Sequence, residues 1–168
     1  KKNYGLTLDK VMFKSIEEAK DADGNTIKDS DGNTMYNVTR ADGTTSQVSG
    51  ADAAISFTVN DSGDELSTDD AKKQTVKYTF EDIANGKTLN DLAADIKNLN
   101  TNISASYDST NGAFSIYNSE SGSEAKISLS MGTPDTATLF NNLNLGLSAN
   151  GTLGAAQTFT NGAETTVS

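Results

Sequence analysis

Pairs of Asp or Asn followed by Gly divide this chain into short segments. They occur at residues 23–24, 31–32, 42–43, 85–86 and 111–112, among other places. Both kinds of pair tolerate the positive φ angles that tight hairpin turns require. The same turn-forming chemistry extends to the abundant Ser and Thr, which favour turns and exposed strand faces over long helices. The pattern therefore predicts short strands joined by tight turns.

Several segments show the two-residue alternation of a half-buried strand. Ile55, Phe57 and Val59 alternate with polar residues, and this is the clearest example. Residues 76–80 repeat the pattern and are predicted to pair with that strand. Similar alternation is found at residues 103–107, 114–116 and 127–131.

Two segments are predicted to be helical. Thr88 is a good N-cap with Asp91 three residues later, and apolar residues of 89–99 recur on one face. Thr133 followed by Pro134 marks a second helix start, for which Gly146 is the expected stop. Residues 15–20 are ambiguous and could form a short helical turn.

The predicted fold class is α+β, mainly β, an antiparallel sheet with two short helices plus a small N-terminal β-hairpin arm. Residues 1–53 are the N-terminal β-hairpin region, with little core of its own in 21–50. Residues 54–147 form a β/α module, and 148–168 are a partial strand or tail that belongs to an adjoining lobe. We expect residues 55–147 to form one antiparallel sheet with the 89–99 helix across one face.

The charge of the chain excludes several kinds of partner. It has 13 basic and 23 acidic residues, a net charge of −10. Such a surface repels phosphate backbones and anionic lipid headgroups, so we expect no nucleic acid and no membrane as partners.

The absence of His and Cys excludes most enzyme classes. Ser-His-Asp and Cys-His catalysis, the commonest metal ligand and the side chain that titrates near neutrality are all missing. We therefore expect no catalytic residues, no metal and no cofactor. A hydrolase that uses carboxylates is a remote alternative.

The acidic turns at 21–33 have two interpretations, a calcium site and ordinary hairpin turns. In an EF-hand loop counted from Asp21, the third and fifth positions, Asp23 and Asn25, fit, but Thr26 replaces the required Gly and Gly32 replaces the bidentate Glu. Turn chemistry explains these aspartates without a metal, and we favour it. A looser calcium site is the alternative.

Two further groups of residues have a functional and a structural interpretation. An acidic cluster in 61–70 could supply a general acid/base pair but has almost no apolar company, which favours a solvated loop. Its members are Asp61, Asp64, Glu65, Asp69 and Asp70. Five tyrosines could form a sugar-stacking platform, but the strand phases of Tyr78 and Tyr107 favour packing. They are Tyr4, Tyr36, Tyr78, Tyr107 and Tyr117.

A succession of motifs resembles a module of flagellar axial proteins. Residues 87–96 read KTLNDLAADI, 102–107 read NISASY, and 114–116 read FSI. Residues 119–127 (SESGSEAKI) match the turn that follows, and 138–145 (TLFNNLNL) resemble the next segment of filament cap proteins. The chain thus resembles the middle lobes of the flagellar filament cap protein family (flagellar hook-associated protein 2 family), over roughly residues 55–147.

The resemblance implies a non-enzymatic structural module of the bacterial flagellar filament cap that supports filament assembly and surface contacts. The parent would have helical ends that form a coiled-coil stem, and it would be extracellular, on the flagellum. The implied partners are flagellin and other copies of the parent, with host glycan or mucin as a further candidate. The alternatives are a variable outer domain of a flagellin and a secreted carbohydrate-binding adhesin domain.

Overall fold

The computed structural model describes residues 6–60, 73–99, 102–119, 127–149, 152–153, 159 and 164–167. The helices are α1 (Leu8–Met12), α2 (Phe80–Ala84), α3 (Leu89–Lys97) and α4 (Pro134–Asn142). The strands are β1 (Ser15–Glu18), β2 (Met35–Thr39), β3 (Thr45–Ser49), β4 (Ala53–Asn60), β5 (Lys73–Thr79), β6 (Ile103–Asp108), β7 (Ala113–Asn118), β8 (Ile127–Met131), β9 (Asn144–Ala149), β10 (Thr152–Leu153) and β11 (Glu164–Val167). The α+β, mainly β class is confirmed.

The first sheet is antiparallel, with the strand order β1-β2-β3. Its turns place Gly24, Gly32 and Gly43 at φ angles of 83°, 85° and 88°, so the predicted hairpin chemistry is confirmed. Residues 15–20, which are ambiguous in the sequence and could form a short helical turn, contain the strand β1 instead. Ile16 pairs with Val38 of β2, and this strand pairing overrides the local helix propensity of the segment.

The second sheet is also antiparallel, with the order β11-β8-β4-β5. Phe57 of β4 lies opposite Val76 of β5 on one side, which confirms the predicted pairing of these two strands, and opposite Met131 of β8 on the other. Phe80, predicted to extend β5, is the first residue of α2. Strand β11, in the predicted tail, pairs with β8, so these residues are part of the module's own sheet.

The third sheet has the order β10-β9-β7-β6 and contains a parallel pair. Strands β6 and β7 form the predicted hairpin, with Gly112 at φ 70° in its turn. Strand β9 runs parallel to β7, with Ile116 opposite Leu147. The expectation of one antiparallel sheet over residues 55–147 is therefore wrong, because the strands divide between two sheets and one pairing is parallel.

Helices α3 and α4 begin at the predicted caps. The Thr88 hydroxyl accepts a hydrogen bond from the Asp91 backbone N–H, and the Asp91 carboxylate accepts one from the Thr88 N–H, each at 3.0 Å. Leu92 and Ile96 of α3 are fully buried, as expected. Helix α4 ends at Asn142 instead of near Gly146, which lies within β9.

One apolar core joins these elements. Phe57 of β4 meets Phe140 of α4 edge-to-face, with ring centroids 5.0 Å apart. Leu8 and Met12 of α1 are buried in the same core, so the N-terminal region is anchored to the module through this helix. Phe13 follows α1 and stacks on Phe80 of α2 at 6.3 Å.

Candidate functional site

A cleft between the β2–β3 turn and the start of α4 is built around one ion pair. Arg40 follows β2, and its side chain reaches Asp135, the second residue of α4. The Nε and Nη2 groups donate to Oδ1 and Oδ2 of Asp135, each at 2.8 Å. This is the bidentate geometry in which a guanidinium and a carboxylate interact most strongly.

Two further contacts fix the Arg40 guanidinium. Its Nη1 group donates to Ser46 Oγ at 2.7 Å, and its Cζ atom lies 5.7 Å from the centroid of the Phe13 ring. The hydrogen bonds that Arg40 donates to Asp135 raise the pKa of Arg40 above its already high value. The Arg40 side chain therefore stays charged at any physiological pH.

The cleft itself has a volume of about 210 Å³. Its lining is Met12, Arg40, Ala41, Asp42, Asp135 and Thr138. Asp135 uses both oxygens on Arg40, and Asp42 accepts hydrogen bonds from the Thr44 backbone N–H and hydroxyl. The charged groups of the cleft are thus held by other groups of the protein, which suits a junction between the first sheet and α4 better than a site of proton transfer.

A second polar cluster attaches α3 to β5. The buried Tyr78 hydroxyl donates to Asp95, and Lys87 Nζ lies 3.8 Å from the Asp95 carboxylate and 5.0 Å from the centroid of the Tyr78 ring. Burial, followed by the bond to Asp95, raises the pKa of Tyr78 well above its usual value. A phenol in this state is not a base or a nucleophile near neutral pH.

The acidic turns repeat one geometry at an interval of eight residues. Oδ1 of Asp21 accepts from the backbone N–H groups of Asp23 and Asn25, and Oδ1 of Asp29 accepts in the same way two and four residues later. The predicted turn role of these aspartates is confirmed. Ser49 Oγ also donates to Asp29 at 2.6 Å, and this bond is the largest of the causes that lower the pKa of Asp29 to about 2.

Backbone hydrogen bonds also join the residues that flank the two acidic turns. The N–H of Ala19 donates to Met35, that of Ile27 to Ala19, and that of Met35 to Ile27, at 2.8–2.9 Å. Within the described ranges, no group of three or more acidic, His or Cys side chains is placed to hold a metal ion. The absence of a metal site stays a prediction.

The other predicted site residues are dispersed. Residues 61–70, with the acidic cluster, and Tyr4 lie outside the described residues. Tyr36 and Tyr78 are buried, and Tyr107 packs against Phe114 with centroids 6.3 Å apart, so these three tyrosines serve packing. Tyr117 differs because 37% of it is exposed.

Tyr117 lies on the outer face of the third sheet among small hydroxyl side chains. Ser104 of β6 and Ser148 of β9 are its direct partners on the two neighbouring strands. Ser115 is two residues away on β7, and therefore on the same face. The ring and these hydroxyls form a flat, uncharged patch on an acidic protein.

Sequence reasoning missed the Arg40–Asp135 pair and this patch. Neither has a local signal, because Arg40 and Asp135 are 95 residues apart and the three strands of the patch come from two parts of the chain.

No family model, curated protein or solved structure matches the sequence. In the part of the chain that the structure describes, no helix has the length and apolar character needed to cross a membrane.

Proposed function

We propose that the chain is a non-enzymatic structural module of the bacterial flagellar filament cap, which supports filament assembly and surface contacts. The observation that supports this most is the placement of the motif segments. Residues 89–96, 103–107 and 114–116 of the segments that resemble the flagellar module lie in α3, β6 and β7, which are one helix followed by one hairpin. Helix α3 packs beside β6, and buried residues of these elements belong to one core.

The polar clusters are consistent with a structural role. Arg40 and Asp135 join the first sheet to α4, and Tyr78, Asp95 and Lys87 join β5 to α3. Each cluster uses its charges within the fold. In this proposal the protein acts outside the cell, on the flagellum, through contacts with flagellin and with other copies of its parent.

Immunogold electron microscopy of the encoding bacterium tests the proposal. An antibody raised against the purified chain should label filament tips, and a strain that lacks the gene should show no label. Label along the whole filament would instead identify a flagellin outer domain. Label on the cell body alone would contradict any flagellar function.

A second candidate, a carbohydrate-binding adhesin domain, is favoured by the patch around Tyr117. An exposed aromatic ring can stack on the apolar face of a sugar, while Ser104 and Ser148 can exchange hydrogen bonds with its hydroxyl groups. A glycan array should then show binding by the native chain and by Tyr117→Phe, and loss of binding by Tyr117→Ser. No binding by the native chain would exclude this candidate.

A further inference from the structure

Two Asn–Gly pairs of the described chain have the same chemistry but different surroundings. Asn85 and Asn111 are both exposed, and the glycines that follow, Gly86 and Gly112, have φ angles of 98° and 70°. Neither glycine has a heavy atom within 4 Å of the position that a Cβ would occupy. Crowding therefore does not distinguish the two sites.

Hydrogen bonding distinguishes them. Asn85 is the C-cap of α2, its N–H donates to Glu81 at 2.9 Å, and the Gly86 N–H donates to Ile83 at 3.1 Å. The ψ angle of Asn85 is 1°, which turns the Gly86 nitrogen away from the Asn85 side chain. Attack of this nitrogen on the side-chain amide requires both the loss of its hydrogen bond and a rotation of the backbone.

Asn111 lacks the hydrogen-bond restraint that holds Gly86. It belongs to the four-residue loop 109–112 between β6 and β7, and β6 is an edge strand of its sheet. Among the backbone bonds of the described turns, none is donated by the Gly112 N–H. The nitrogen that would attack the side chain is thus available without the opening of a helix end.

We propose that Asn111 is a site of spontaneous deamidation and isoaspartate formation in the native protein, whereas Asn85 is protected. The Gly112 nitrogen loses its proton to water and bonds to Cγ of Asn111. The Cγ–Nδ2 bond breaks, and the amide nitrogen leaves as ammonia after taking up a proton from solvent. Water then opens the resulting succinimide at either carbonyl, which gives aspartate or isoaspartate.

The modification changes the hairpin in two ways. Either product adds a negative charge close to Asp108, on a chain whose net charge is already −10. Isoaspartate also lengthens the main chain by one carbon in the loop that closes the Asp108–Ala113 pair. In aged protein, the β6–β7 hairpin should therefore lose order first at the end that the loop 109–112 closes. This inference is independent of the flagellar proposal.

Peptide mapping by mass spectrometry tests the inference on the purified chain. After incubation in mildly alkaline buffer, the peptide with Asn111 should deamidate at least about fivefold faster than the peptide with Asn85. One net backbone hydrogen bond lowers the population of the open, reactive state by about this factor. In concentrated urea the two peptides should react at similar rates, because the fold no longer protects Asn85.

Two variants test whether the isoaspartate forms at Asn111 and not at Asn85. In Asn111→Gln, whose longer side chain closes a strained six-membered ring only slowly, a protein isoaspartate methyltransferase should no longer methylate the peptide that contains residue 111. Asn85→Gln should leave the methylation of the native chain unchanged. Equal rates for the two peptides in the folded protein, or faster reaction of Asn85, would overturn the inference.

Discussion

Replacement of Arg40 by Met is expected to show how strongly the ion pair joins the first sheet to α4. The variant keeps an apolar stem but loses both bonds to Asp135 and the bond to Ser46. The side chain of Asp135 is only 11% exposed, so its carboxylate is left in a site with little water. The N-terminus of α4 compensates part of that charge. We expect a loss of about 2–4 kcal/mol in the free energy of unfolding.

A double-mutant cycle separates the pair from other effects of each substitution. Asp135→Asn and Arg40→Met, alone and combined, should give a coupling energy of about 1–3 kcal/mol. Arg40→Lys should recover only part of the stability, because an ammonium group cannot donate in the bidentate geometry. Urea unfolding followed by circular dichroism measures the native chain and these four variants.

A surface ion pair provides the matched control. Lys20 lies 3.2 Å from Glu18, and both side chains are 51% exposed. Lys20→Met should change the stability by no more than about 0.5 kcal/mol, as is usual for exposed pairs. A coupling energy between Arg40 and Asp135 as small as this would refute the argument that their partial burial makes the pair strong.

Four other expectations can be tested on the same protein. Leu92→Ala, at a fully buried position of α3, should lower the free energy of unfolding by about 2–5 kcal/mol, and a negligible loss would mean that the helix is not packed. Ser49→Ala should raise the pKa of Asp29 from about 2 in an NMR titration, and an unchanged value would contradict the cause that we assign. Since a lowered carboxyl pKa stabilises the fold above the unfolded pKa, the contribution of Asp29 should be complete above about pH 4 and be lost as the pH falls through the folded value. Calcium should leave the melting temperature unchanged, whereas a rise that Asp23→Ala abolishes would establish a metal site. Light scattering should find a monomer or weak association because copies with a charge of −10 repel one another, and a stable, salt-insensitive oligomer would contradict this.

The parts of the fold that the sequence predicted are those with local causes. The capping box of Thr88 and Asp91 depends on residues three apart, and the glycines of the hairpin turns need only their own φ angles. The pairing of β4 with β5 followed from the alternation on both strands. Each of these features has its cause within a short stretch of sequence.

Two interpretations of local sequence differ from the structure, because the residues concerned are common in more than one kind of element. The sequence predicts that Gly146 ends a helix, a position where glycine is frequent, but Gly146 lies within β9 opposite Ser115. Residues 15–20 have good helix formers but become an edge strand because β2 is available as a partner. The intrinsic preference was outweighed by a pairing that the sequence does not display.

The polar contacts of the candidate site could not be predicted from the sequence, because they too depend on contacts between distant segments. An Arg at a hairpin turn and an Asp in the first turn of a helix are each ordinary surface residues. Their contact depends on where the first sheet lies relative to α4, and that position is set by the burial of Leu8 and Met12 of α1. No periodicity of the segments themselves indicates it.

The chain passes from the second sheet to the third twice, first between β5 and β6 and again after β8, and the second passage has its physical cause at the end of β8. The Gly132 N–H donates to Ser56 at 2.7 Å and the Thr133 hydroxyl donates to Ala54 at 2.8 Å, so the chain is still held beside β4 when α4 begins. A Cβ at Gly132 would lie 3.0 Å from the Ser56 carbonyl oxygen, so the close approach favours glycine. Helix α4 then crosses the core over Phe57, and the chain enters the other sheet as β9, parallel to β7. Parallel strands require such a crossover. Alternation predicted a strand at β8 but not at β9, and the position of α4 determines that these two strands belong to different sheets.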